Sequence, residues 1–257
     1  MSNLAISAIP ETNSTSTQII SFPKKHYNSR PGNHNHTQQR VSPIRDVNKV
    51  NEIFNSLLNS GRYGLRNATI FALQLAIGRR TNDIARMTLG TVYDFTLKRV
   101  KPILTVDEHK TGKTARDLPL GKKTKSLLEE YINTLSHRTP SSLLFPSQKS
   151  ATDGSQRPLN TSSIDGIYKK YTSQVFSDSD TQTHISSYAA RKTFGYRLLQ
   201  ECNQKHNGML PGTNIPALQY IQSVYNHESA LTTLRYMGAY DAPAMDLAES
   251  IEDGYAF

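Results

Sequence analysis

Between Val92 and Leu120 the apolar residues of this chain stop recurring at helical spacing and alternate instead, and helical spacing resumes at Leu127. Pro102-Ile-Leu-Thr-Val106 and Ala115-Arg-Asp-Leu-Pro-Leu120 flank Lys-Thr-Gly-Lys, a turn whose glycine suits positive φ. One strand-forming stretch set among long helical ones restricts the chain to an α+β, mainly helical fold with a small antiparallel sheet. Lys110 falls near the tip of the predicted hairpin.

Apolar stripes and end signals place the helices. Asp46 is a good N-cap, and Val47, Val50, Phe54, Leu57 and Leu58 follow at helical spacing, with Gly61 suited to the end. A second helix is expected from Arg66 to Ile77, broken by Gly78, with Ile70, Phe71 and Leu75 facing the core. Thr81 or Asn82 can cap a short third helix carrying Ile84, Met87 and Leu89, which leaves Arg80 at a helix–helix junction. The helical stripe then returns at Leu127, Leu128, Tyr131, Ile132 and Leu135. A Ser/Pro/Gly-rich connection over 136–160 holds the apolar anchor Leu143-Leu-Phe-Pro146, and Thr161 caps a helix with Ile164, Ile167, Tyr168 and Tyr171. Further helices are expected over 187–203, 216–225 and 228–236, and the stretch 243–251 is amphipathic and acidic.

A formal charge of +9 favours a polyanionic partner, through release of condensed counterions. Membrane surfaces and ribosomes attract the same charge, so it does not select DNA by itself. Residues 1–43 are rich in Ser, Thr, Asn, His and Pro and lack aliphatic periodicity. Such a segment cannot bury enough apolar surface to offset its ordering entropy, so a disordered basic tail is expected there, followed by a folded domain over 44–257. Lys24, Lys25, Arg30, Arg40 and Arg45 suit the tail to phosphates, and His26, His34 and His36 read as solvated side chains rather than a metal tract. The single cysteine, Cys202, excludes an internal disulfide framework and reads as a core residue. The first residues lack a charged region followed by a long apolar one, and Ile70–Ile77 is too short to span a bilayer; a soluble, cytoplasmic protein is expected.

Four polar stations stand in order along the folded part. They are Gly-Arg-Arg at 78–80, His-Lys-Thr-Gly-Lys at 109–113, Ala-Ala-Arg-Lys-Thr-Phe at 189–194, and Asn226-His227 leading to Tyr236. Phosphodiester transfer without a metal needs a nucleophile in line, cations around the pentavalent phosphorus and an acid for the leaving oxygen. A tyrosine can supply the first. Arginine suits the second, since its planar fork holds two non-bridging oxygens, and a lysine beside other cations suits the third. No paired-carboxylate or Cys/His cluster at metal spacing and no Gly-rich phosphate loop occurs in the sequence, which argues against nuclease, kinase and ATPase readings.

In that order the stations resemble the catalytic domain of the tyrosine recombinases, the phage-integrase family. Leu75-Ala-Ile-Gly-Arg-Arg-Thr-Asn-Asp-Ile84 resembles the first arginine box, with Arg80 in the catalytic slot and Arg79 beside it. Lys110-Thr-Gly112 resembles the hairpin lysine motif, with Lys113 nearby. Ile185 to Tyr196 resembles the His-x-x-Arg box, with Arg191 as the second arginine, and Asn226 to Tyr236 resembles the closing box. The resemblance implies a three-stranded antiparallel sheet within the helical fold. It implies that Tyr236 attacks the scissile phosphate to give a 3′-phosphotyrosine and a free 5′-hydroxyl. Arg80 and Arg191 would clamp the phosphate, Lys110 would protonate the leaving oxygen, and His227 would hydrogen-bond the phosphate, with no ATP, metal or other cofactor. Implied partners are double-stranded DNA recombination sites, three further copies of the chain in a tetramer joined through 243–251, and an accessory DNA-bending protein. The setting implied is a mobile element in a bacterial-type, nucleoid-associated location.

Three departures stand out. Tyr188 occupies the position three before Arg191 where the family has histidine, and a phenol with pKa near ~10 is a poor proton acceptor at neutral pH. His184 lies close by, at an offset that does not suit substitution. Asn226 replaces the usual glycine before His227, and asparagine tolerates left-handed geometry. The helical core-binding domain that normally precedes the catalytic domain has no counterpart in 1–43, as in short recombinases of the fimbrial-switch invertase type. The rival readings are a sequence-specific DNA-binding regulator with a decayed active site and a strand-passage enzyme of the type IB topoisomerase kind.

Overall fold

Helix α2, Gly64–Ile77, is apolar nearly all round, and a helix with no polar face must be enclosed. It packs against α1 (Val47–Leu58), α5 (Lys122–Asn133) and α7 (Ala189–His206), with Ala68, Ile70, Phe71, Leu73 and Ile77 in the core. Each such large aliphatic or aromatic side chain contributes about 1.5–3 kcal/mol when fully buried. The computed structural model describes residues 41–110, 112, 114–149, 152–176 and 184–239. The tail expected over 1–43 lies outside them except for its last three residues, and so does the acidic stretch 243–251.

Asp46 caps α1 as the sequence predicts, accepting from Asn48 N at 2.8 Å. The caps of two other helices fall one residue earlier than expected. Arg80 itself, in extended conformation, precedes α3 (Thr81–Ala85), and Asn160 rather than Thr161 caps α6 (Thr161–Thr172), accepting from Ser163 N at 2.6 Å. After the short α4 (Leu89–Val92) come the strands β1 (Tyr93–Asp94), β2 (Arg99–Val100), β3 (Ile103–Asp107) and β4 (Thr114–Pro119). Among the described residues the sheet takes the form of two antiparallel pairs, β1–β2 and β3–β4, rather than one three-stranded sheet. Pro102, between β2 and β3, has no N–H with which to continue a ladder. Asp117 adopts a left-handed conformation where the β3–β4 register shifts, and Gly112 has the positive φ expected of the turn.

The connection after α5 is pinned by its predicted apolar anchor. Leu144 and Phe145 are fully buried, Tyr131 stacks on Phe145 and donates its hydroxyl to Leu144 O at 2.9 Å. The last helices are α8 (Ala217–Tyr225) and α9 (Ala230–Met237). Both close onto α7, and Gly195 permits it: a Cβ there would stand 2.3 Å from the Tyr225 hydroxyl and 2.5 Å from Met237 Sδ. Cys202 is buried on α7, and burial pushes its thiol up. Among the described residues no helix is long and apolar enough to cross a membrane.

Candidate active site

Gly78 ends α2 in the left-handed conformation, and the two arginines after it part company. Arg79 turns inward, 1% exposed, donating to Val224 O at 2.8 Å and lying 3.5 Å from both Asp83 and Glu108. Burial pulls its guanidinium down to about 10, with Asp83 opposing. Arg80 stays a quarter exposed, in an ion pair with the same Glu108. Burial and the like charge of Arg191 lower its pKa, while Asp83, Tyr236 and Tyr188 oppose them.

Glu108 stands at the end of β3, on the inward face shared with Leu104 and Val106. Its second oxygen accepts from Asn226 Nδ2 at 2.9 Å, and Asp83 Oδ1 accepts from the neighbouring His109 N at 3.0 Å. The hairpin, α3 and the turn after α8 are thereby tied around one buried charge cluster. Alternation carried through from Leu104 would have flagged Glu108, because a carboxylate at an inward strand position requires a cationic partner.

Arg191, on the first turn of α7, is 2% exposed. It donates to Tyr225 O at 3.0 Å and lies 4.5 Å over the Tyr225 ring, while its Nη1 has no hydrogen-bond partner among the described residues. Tyr225 in turn donates its hydroxyl to Arg191 O. Asn226 holds the left-handed cap of α8, φ 57°, so the asparagine serves where a glycine would. His227 follows, its Nδ1 3.1 Å from Thr233 Oγ1. Burial, then the charges of Arg191 and Arg80, push its pKa down to about 4, leaving it neutral at pH 7.

Ser229 caps α9 by accepting from Thr232 N at 3.1 Å, which aims Tyr236 back at α7. The Tyr236 ring meets Tyr225 and His227 edge to face at 5.2 and 5.1 Å, and its hydroxyl is buried without a hydrogen bond of full geometry among the described residues. Burial raises the phenol above its ordinary value, and the adjacent Arg191 guanidinium partly offsets that.

The structure therefore brings Arg80, Arg191, His227 and Tyr236 together. Tyr188 stands at the N-terminus of α7, half-exposed and near enough to bear on the electrostatics of Arg80 and Tyr236. Lys110 lies exposed in the hairpin turn, outside the bonded cluster, and His184 sits in the bend ahead of α7. Lys113 lies outside the described residues. Sequence reasoning missed Glu108, Tyr225 and Lys192, the last with its Nζ 4.8 Å from the Tyr236 ring centre. Among the described residues no cluster of three or more His, Cys, Asp or Glu could hold a metal ion.

Comparison with solved structures finds the same architecture repeatedly. The XerA recombinase superposes with a TM-score of 0.54 at 17% identity, over 83% of this chain and 67% of that one. XerH site-specific recombinase, bound to palindromic difH substrate in a post-cleavage complex, gives 0.55 at 16% identity, over 86% of this chain and 56% of that one. A lambda integrase dimer bound to a COC′ core site gives 0.51 at 15% identity, over 79% and 61%. At these identities the likeness shows a shared fold, and the chain spans little more than half to two thirds of those lengths. No curated protein matches the sequence. The sequence model of the phage integrase family matches residues 45–242, most of the chain, and the protein belongs to that family.

Proposed function

We propose that the protein is a site-specific DNA recombinase whose Tyr236 cleaves and rejoins DNA through a 3′-phosphotyrosine intermediate. The observation that carries this reading is the gathering of Arg191, Arg80 and His227 around Tyr236, whose hydroxyl is buried. Arg191 Nη1 is a buried donor with no hydrogen-bond partner of full geometry among the described residues, of the kind that a non-bridging phosphate oxygen satisfies. In this reading Arg80 and Arg191 clamp the scissile phosphate and the neutral His227 hydrogen-bonds it. Tyr236 Oη forms the new bond to phosphorus as the P–O5′ bond breaks. Lys110, on the hairpin, gives the leaving oxygen its proton when DNA draws the turn in. Preorganised cations of this kind act most strongly where charge develops in the transition state.

The chain is read as a basic tail over 1–43 and a catalytic domain over 44–257. Recombination sites in double-stranded DNA are the substrates, and a tetramer joined through 243–251, aided by a DNA-bending protein, is the assembly. XerH bound to its difH substrate and lambda integrase bound to a core site support DNA as the partner. A regulator with a decayed site is the second reading, favoured by Tyr188 in the histidine position and by the Glu108 carboxylate on Arg80.

The test is a covalent trap with candidate-site duplex carrying a nick near the cleavage position. A denaturation-resistant adduct that vanishes in Tyr236→Phe and weakens in Arg191→Ala supports the recombinase. Tight binding with no adduct, cured by Tyr188→His, supports the regulator. Relaxation of supercoiled plasmid without site preference points instead to topoisomerase-like strand passage.

A further inference from the structure

Lys192 follows Arg191 on α7, so its side chain leaves the helix about 100° further round and does not join the guanidinium cluster. It is partly buried, with its Nζ 4.8 Å from the centre of the Tyr236 ring, and it donates to Val41 O at 2.7 Å. Val41 belongs to a segment that straps the two helices of the site. Ile44 N donates to Thr193 Oγ1 at 2.8 Å, and Arg45 donates to Gly238 O, at the C-cap of α9, at 3.2 Å. The Arg45 guanidinium also lies 5.3 Å over the Tyr196 ring. One ammonium is thus held by the strap against the ring that carries the candidate nucleophile.

We propose that Lys192 is a positioning residue for Tyr236, held over the ring face by the Val41–Arg45 strap so that its ammonium stabilises the phenolate as the nucleophile forms. This rests on the reading of Tyr236 as the nucleophile. A cation over a neutral phenol meets only the ring quadrupole, whereas a phenolate spreads a full negative charge into the same ring. The attraction therefore grows as the proton leaves, and it is such differential interaction that lowers a barrier. In the step, the Tyr236 O–H bond breaks and the proton passes to solvent. The oxygen's electron pair forms the bond to phosphorus, the P–O5′ bond breaks, and the departing oxygen takes a proton from Lys110. Lys192 keeps its own proton throughout.

The site has a particular need for this. Tyr188 stands where an imidazole would accept the nucleophile's proton, so the cost of making the phenolate falls on the electrostatics around Tyr236. The groups facing Tyr236 are Arg80 from the α2–α3 junction, Arg191 and Lys192 from α7, Tyr188 at its N-cap, Tyr225 from α8 and His227 from the turn before α9. Of the three cations, Arg80 and Arg191 are the proposed phosphate clamp, and their charge is shared with the substrate once DNA is bound. Lys192 is the one outside that clamp, held by Val41 O over the ring face.

The test needs no DNA. 3-Fluorotyrosine is placed at 236 in the full chain, and its ¹⁹F resonance is titrated with pH beside Lys192, Lys192→Met and Lys192→Arg. The midpoint is expected to rise by about one pH unit in Lys192→Met and to return to the parent value in Lys192→Arg. An unchanged midpoint in Lys192→Met overturns the proposal, and Lys192→Gln decides the matter should methionine disturb the fold. A parallel trap on nicked duplex that the protein binds separates the two readings. Failure of the unsubstituted chain to form any adduct sinks the nucleophile reading, whatever the resonance does. An adduct formed equally fast by Lys192→Met across the pH range sinks the role of Lys192 alone.

Discussion

Arg80 and Glu108 form an ion pair in which the carboxylate is 1% exposed and the guanidinium a quarter exposed. Glu108 thus lies against the arginine proposed to hold the scissile phosphate, and it also compensates the buried Arg79. A carboxylate and a phosphate compete for the same fork of donors. Glu108→Gln is therefore expected to tighten duplex binding several-fold at fixed salt, read by fluorescence anisotropy. The same change removes a countercharge from Arg79 and is expected to cost about 3 kcal/mol of stability, read by urea unfolding. Unchanged or weaker binding in a folded variant would show that Glu108 orients Arg80 without competing for it.

The two adjacent arginines are expected to fail differently. Arg80→Ala removes a partly exposed side chain and leaves Glu108 paired with Arg79, so the protein stays folded and loses the covalent adduct. Arg79→Ala takes the buried countercharge from Asp83, leaves Glu108 with Arg80 alone and breaks the bond to Val224 O, a change expected to cost about 3–5 kcal/mol. Thermal melts and adduct yields, measured together, check the pair. Equal melting temperatures would mean that the inward arginine is not the structural one.

His227 makes stability depend on pH. Its folded pKa is pushed from 6.5 down to about 4, so between those values the unfolded chain takes up a proton that the folded chain does not. Its contribution is present above pH 6.5 and lost as pH falls towards 4. Because the ring is only half-buried, solvent screening reduces the effect to the order of 1 kcal/mol. Urea midpoints should fall more steeply across this window in the parent protein than in His227→Gln, and parallel curves would remove His227 as the cause.

Gly195→Ala is expected to destabilise by about 1–3 kcal/mol, because the new methyl meets the Tyr225 hydroxyl and Met237 Sδ, both fully buried side chains. Since Tyr225 and Met237 bracket the position of Tyr236, adduct yield should drop further than the loss of folded protein explains. Yield that tracks folded fraction would show that α9 repacks without moving Tyr236.

Local features were legible in the chain alone, because they depend on a few neighbouring residues. The Asp46 cap, the Gly78 break, the positive φ at Gly112 and the left-handed Asn226 all follow from side-chain reach and backbone sterics. The ordered stations also singled out Arg80, Arg191, His227 and Tyr236, which the fold brings close together, and Lys110, which it leaves exposed in the hairpin turn. What the sequence did not decide was the fate of side chains that differ only in direction. Arg79 and Arg80 are identical neighbours, and it is the turn at Gly78 with Val224 and Asp83 on one side that buries the first and leaves the second near Tyr236. Glu108 and Lys192 were passed over for the same reason. Their partners, Arg80 and Arg79 for one, Val41 and the Tyr236 ring for the other, are distant in sequence and come within reach only once the helices pack. Charge burial and pairing are properties of that packing, so the residue types were written in the chain while their electrostatic roles were decided by tertiary structure.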